Sequence, residues 1–178
     1  MPIYTKKGDK GTTQTIRQTK NRIPKDSLII EVLGELDMLN SYLGVVKSFN
    51  ESEDLNNKIT KIQIRLLTIG SIIAGAKLPF TKKFTTDLEI QIDQMEKMLP
   101  KLANFVMPGG SVVASHLHYA RTLARLLERR MVALSSYMKI KSTVLMFLNR
   151  LSDYLFTLAR NENFRVGIDE QIWVFEKR

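Results

Sequence analysis

The chain has 178 residues, 44% of them hydrophobic, with 27 Lys and Arg against 18 Asp and Glu, a formal net charge of +9, and no cysteine. A chain of this length buries roughly 70% of the surface it would expose unfolded, so one core suffices without disulfide or metal staples. The missing cysteines exclude a disulfide framework, a thiolate zinc site, a cysteine-held iron–sulfur cluster and a cysteine nucleophile.

The first residues, MPIYTKKGDKGT, lack the apolar stretch of a secretory signal, and no apolar run approaches the roughly 18 residues of a membrane span. A cytoplasmic protein without membrane contact is expected. Residues 1–25 carry Lys6, Lys7, Lys10, Arg17, Lys20, Arg22 and Lys25 against Asp9 alone, so +6 of the +9 sits there. The same stretch holds Gly8, Gly11, Thr12 and Thr13. It reads as a strand and loop facing phosphate, because backbone N–H groups in a glycine turn form an anion-binding nest. The two hydroxyls and Lys6, Lys10 or Lys25 add donors and charge. Charge alone fits a solvated basic tail equally well. The GxxxxGK[ST] pattern of a Walker loop is absent.

From residue 26 the periodicity is helical. Leu36, Leu39, Leu43 and Val46 mark a first helix, and Ile59, Ile62, Leu66, Ile69 and Ile73 a second. Pro79 with Lys82 and Lys83 marks a loop. A shorter third helix follows on Leu88, Ile92, Met95 and Leu99, ended by Pro100. Pro108, Gly109 and Gly110 precede Ser111, which has the chemistry of an N-cap. The fourth stripe is Leu117, Ala120, Ala124, Leu127, Met131 and Leu134, and the fifth is Val144, Leu148, Leu151, Leu155 and Leu158. Short connections make neighbours antiparallel, so the fold class is all-α, a five-helix bundle behind an N-terminal strand and loop segment. One domain is expected over 1–178, with 1–25 as the phosphate-facing N-terminal segment, 26–160 as the bundle and 161–178 as a C-terminal segment. In that last segment Trp173 and Phe175 are predicted to pack onto the bundle.

Some polar groups are left over by this core. His118, Arg121, Arg125, Glu128 and Arg129 recur at helical spacing beside the fourth stripe. Two arginines there make a fork for phosphate or carboxylate; an exposed face with Arg125 and Glu128 pairing locally is the plainer reading. Asp37, with Asn40 and Ser41 nearby, lies among the leucines of the first helix and wants a cationic partner. Asn149 and Asp153 are four apart next to Arg150, either as part of a site or as a polar seam. His116 and His118 point apart on a helix and belong to no HExxH motif, so no metal-ligating residues are expected.

The run from Ile3 to Thr13, then GELDMLNS (34–41), FVMPGGS (105–111), ARTLARLLER (120–129) and LNRLSDYLFTLAR (148–160) together resemble the PduO-type ATP:corrinoid adenosyltransferase family over nearly the whole chain. The resemblance implies a homotrimer with active sites between subunits. It also implies a reaction in which Co(I) of a reduced corrinoid attacks the 5′ carbon of ATP and releases triphosphate, with magnesium carried mainly by the phosphates. Such a reaction needs positioning and charge stabilisation more than a general base. By the same resemblance Thr5, Lys6, Gly8, Asp9, Lys10, Gly11, Thr12 and Thr13 form the phosphate loop, and Lys25 is a further phosphate contact. Arg121, Arg125, Glu128 and Asn149 fall on nucleotide-site positions, and Asp37 on an acid that pairs with Arg121 across the interface. Phe105 falls on the apolar residue that crowds the lower axial face of the corrinoid. Read from its neighbours alone, Phe105 beside Pro108-Gly109-Gly110 anchors the loop to the core.

The chain departs from the family pattern at Ile29 and Leu126, where arginine is common, at Leu33, where tyrosine is common, and over residues 14–21, which contain no glycine. A corrinoid reductase or an adenosylcobalamin-dependent enzyme is an expected partner. The alternative readings are a non-catalytic bundle that binds nucleotide or corrinoid, and a basic nucleic-acid binder. The second is disfavoured by 8% aromatic content and by charge clustered in a glycine–threonine segment.

Overall fold

A buried position every three or four residues organises the chain from Leu28 onward. The computed structural model describes residues 3–4, 6–15 and 22–174. Within them lie two short strands, β1 (Thr12–Thr13) and β2 (Ile23–Pro24), and five helices: α1 (Leu28–Ser48), α2 (Glu53–Ala74), α3 (Lys83–Glu96), α4 (Val112–Ser135) and α5 (Ser142–Arg165). All the stripe residues predicted for α1, α2, α4 and α5 are buried. Each fully buried Leu or Ile contributes on the order of 1.5–3 kcal/mol, so these stripes are the main source of stability.

Backbones pack in the spatial order α2, α1, α4, α5, α3. The two ends of that row meet through side chains: the Arg65 guanidinium lies 3.7 Å above the Phe84 ring. Phe80 meets both Phe84 and Phe147 edge-on, which ties the segment before α3 to α5. α5 is the most deeply buried helix and encloses Tyr154, Thr157, Arg160 and Asn163 besides its leucines. Burial pushes the Tyr154 phenol upward, and its hydroxyl donates to Gln91 Oε1 at 2.7 Å.

Local signals set the ends. Ser52 and Ser111 cap α2 and α4 by accepting from Leu55 N and Ala114 N. Gly75, at φ 118°, closes α2 in the left-handed conformation that glycine adopts without strain. α3 differs from expectation: it starts at Lys83, before the predicted stripe, and ends at Glu96, so Leu99 is buried outside the helix. The residue before Pro100 disfavours helical geometry, which accounts for the early end.

Candidate functional site

The N-terminal loop is built by backbone bonds around its glycines. Gly11 N donates to Gly8 O at 3.2 Å and Lys25 N donates to Gly11 O at 2.9 Å, with Gly11 at φ 73°. A Cβ on Gly8 would stand 3.1 Å from Lys25 Nζ, so the absence of a side chain lets the ammonium lie against the loop. β1 and β2 pair antiparallel, Thr12 opposite Pro24 and Thr13 opposite Ile23. Arg22 reinforces that pairing, donating from Nε to Thr12 Oγ1 at 2.8 Å and from Nη2 to Thr12 O at 2.6 Å. Ser27 Oγ donates to Pro24 O at 2.7 Å and turns β2 into α1. Lys6, Asp9 and Lys10 are exposed on this loop; Thr5 lies outside the described residues. Composition could not single out Arg22, because it is one of seven cations in the segment.

A second region centres on a cavity of about 790 Å³, walled by α3, α4, α5 and the loop before α4. Arg121 and Arg125 enter it one turn apart on α4, Arg150 and Phe156 from α5, and Phe105 from the loop. Arg125 forms no ion pair among the described residues. Arg121 is likewise without an ion pair among them, its Nε is buried without an acceptor, and its guanidinium sits 6.0 Å from the Phe156 ring. Burial first, and Arg125 second, lower the affinity of Arg121 for its proton. Two such cations side by side favour an anion between them. The local pairing of Arg125 with Glu128 does not form. Glu128 instead accepts from Asn149 Nδ2 at 2.8 Å, across α4 and α5. Arg150 is taken up by Asp153 at 2.7 Å and Glu89 at 3.2 Å, so the Asp153 end is a polar seam between helices.

Phe105 is 79% exposed, which corrects its reading as a core anchor. It is held by its backbone and by one ring: Trp173 N donates to Phe105 O at 2.8 Å, and the two rings meet edge-on at 6.4 Å. Trp173 thus packs against the Phe105 loop; Phe175 lies outside the described residues. Behind the loop, Asn163 accepts from Ser111 N and donates to Gly109 O, both at 2.9 Å, which fixes the turn into α4.

Two expected neighbours are not together. Asp37 lies with Asn40 in a groove of about 290 Å³ between α1 and α2, separate from the Arg121 cavity, so the two residues do not pair within one copy. None of the described residues of the N-terminal loop lines the Arg121 cavity either. His118 also departs from expectation: it is 3% exposed and belongs to the buried face of α4, not to the polar stripe. His116 packs under Phe49, with Nδ1 2.7 Å from the Tyr42 hydroxyl.

Two guanidinium groups without ion pairs among the described residues and an exposed phenylalanine line one cavity, an arrangement suited to an anion beside an apolar surface. The chain belongs to the cobalamin adenosyltransferase family, whose model matches residues 3–162. It is 42% identical over 178 residues to the corrinoid adenosyltransferase of Bacillus subtilis, covering 96% of this chain and 91% of that protein. It is 37% identical over 184 residues to the human corrinoid adenosyltransferase MMAB, covering 97% and 73%. A variant of the PduO-type ATP:corrinoid adenosyltransferase of Lactobacillus reuteri, solved with cobalamin and ATP, superposes with a TM-score of 0.92 at 35% identity, covering 97% of this chain and 96% of that one.

Proposed function

We propose that this chain transfers the 5′-deoxyadenosyl group of ATP to the Co(I) of a reduced corrinoid. The cobalt electron pair forms the Co–C5′ bond, the C5′–O bond breaks, and triphosphate departs. The observation that carries this reading is the single cavity where Phe105 faces Arg121 and Arg125, in a chain of this family. The arginines stabilise the polyphosphate as its charge grows. Glu128 and Asn149 fix one another at the edge of the nucleotide position. The loop of Thr5, Lys6, Gly8, Asp9, Lys10, Gly11, Thr12 and Thr13, with Lys25, holds the phosphates. Among the described residues no trio of His, Asp or Glu could hold a metal ion. Magnesium accompanies the phosphates, which with retained waters supply most of its ligands.

Phe105 crowds the lower axial face of the corrinoid. Because the loop and Asp37 are separate from the Arg121 cavity within one copy, we place the complete site between subunits of a homotrimer, with Asp37 of one copy on Arg121 of the next. The enzyme works in the cytoplasm with a corrinoid reductase or an adenosylcobalamin-dependent enzyme as partner, and no described helix is long and apolar enough to cross a membrane. The test is anaerobic: purified protein, chemically reduced cob(I)alamin, ATP and magnesium, with light-sensitive adenosylcobalamin followed by absorbance. Formation of adenosylcobalamin is expected. Intact ATP binding without product, across several corrinoids, would instead identify a non-catalytic binder.

A further inference from the structure

After α5 the chain folds back as a strap over residues 168–173. Arg160, itself buried, holds Glu170 through Nε at 2.8 and 3.0 Å and Pro100 O through Nη2 at 2.8 Å. Met107 N then donates to Gln171 O at 2.7 Å, Ile172 bridges Val106, and Trp173 reaches Phe105. The position of Phe105 is thus set from Glu170 onward.

We propose that His118 is a positioning residue of the site, coupling this strap to the α4 face that carries Arg121. Its ring is buried with both nitrogens lacking a partner among the described residues, an arrangement that packing alone does not require of a core position. It lies one turn before Arg121 and 5.9 Å from Phe156, the ring over which Arg121 also sits. Two charges bear on it: Arg121 from its own helix and Glu170 from the strap, the latter held by Arg160 of α5. α5 otherwise turns Phe156 toward it.

Burial first, then Arg121, holds the imidazole below its ordinary value of 6.5, against the pull of Glu170. A neutral ring leaves Glu170 to Arg160. A protonated ring would repel Arg121 and compete with Arg160 for Glu170, which loosens the strap and with it Phe105. Because the folded-state value lies below the unfolded one, the stabilising effect of the neutral ring is complete above pH 6.5 and is lost as pH falls through the folded-state value.

Trp173 is the one tryptophan of the chain and sits on the strap, so ligand-free protein reports the coupling without turnover. In wild type the His118 imidazole signal, assigned by NMR against His116→Gln, titrates with a midpoint below 6.5, and Trp173 emission shifts to the red with that midpoint. His118→Gln loses the emission step. Glu170→Gln is red-shifted already at pH 7.5, and its His118 midpoint falls below that of wild type. A midpoint at or above 6.5, an unchanged emission step in His118→Gln, or a Glu170→Gln protein that matches wild type in both readouts would overturn the coupling. The significance for catalysis rests on Phe105 and Arg121 forming the proposed site. If emission and midpoint behave as stated but no adenosylcobalamin forms, that proposal fails and the coupling stands.

Discussion

The Asn163 amide occupies the space that a side chain on Gly110 would need, while bonding the backbone on either side of that glycine. Gly110 also has φ 106°. Gly110→Ala therefore combines an unfavourable backbone conformation with a steric overlap, and is expected to lower stability by about 2–4 kcal/mol in urea unfolding. Gly11→Ala is the control: φ is 73° but nothing stands within 4 Å, so the conformational cost alone, about 1–2 kcal/mol, is expected.

Arg160 is one partner of a buried ion pair. Replacing it with Ala leaves Glu170 without its cation and frees Pro100 O. A loss of about 3–5 kcal/mol is expected, measured by chemical denaturation. The double substitution Arg160→Met with Glu170→Leu should lose much less, because no charge is left stranded.

Phe105→Ala removes a ring that is mostly in solvent, so its melting temperature should match wild type, a change within about 0.5 kcal/mol. ATP affinity should be unchanged. Adenosylation starting from Co(II) with a reductant should slow sharply, while the rate from preformed Co(I) should fall less. Equal slowing from both starting states would remove Phe105 from the reduction step.

Asp37→Ala and Arg121→Ala should each cost about 10²-fold or more in turnover, the scale of a lost transition-state donor or of the residue that positions it. Mixed and re-equilibrated, the two variants should regain part of the activity, because some interfaces then unite an intact Asp37 with an intact Arg121. A mixture that stays as inactive as its parts would argue for a site complete within one copy.

The core was legible because its signal is repeated: five stripes of three- and four-residue steps leave little freedom in where helices lie. The α3 start escaped that logic, since Lys83 and Thr85 carry no apolar pattern although Thr85 is buried. Site residues were legible where they lay in a run, such as Gly8 to Thr13, or at helical spacing, such as Arg121 and Arg125. Their partners were not. Nothing local tells that Glu128 bonds Asn149, that Arg22 clasps Thr12, or that Arg160 and Asn163 face inward to hold Glu170 and the glycine turn, because each pairing is fixed by tertiary packing. His118 shares helical spacing with Arg125, and only packing against Phe156 distinguishes its face.

The spatial order of the helices also ranks how readily each part of the chain opens. α2 packs its backbone closely along α1 alone, and across from α3 it relies on long side chains such as Arg65 on Phe84. α5 is flanked by α3 and α4 and lies under the strap. Amide protons of α2 are therefore positioned to exchange through partial opening, while those of α5 wait for global unfolding. Heat or denaturant would reach the cavity walls of α4 and α5 last, after the outer edge of the bundle has begun to yield.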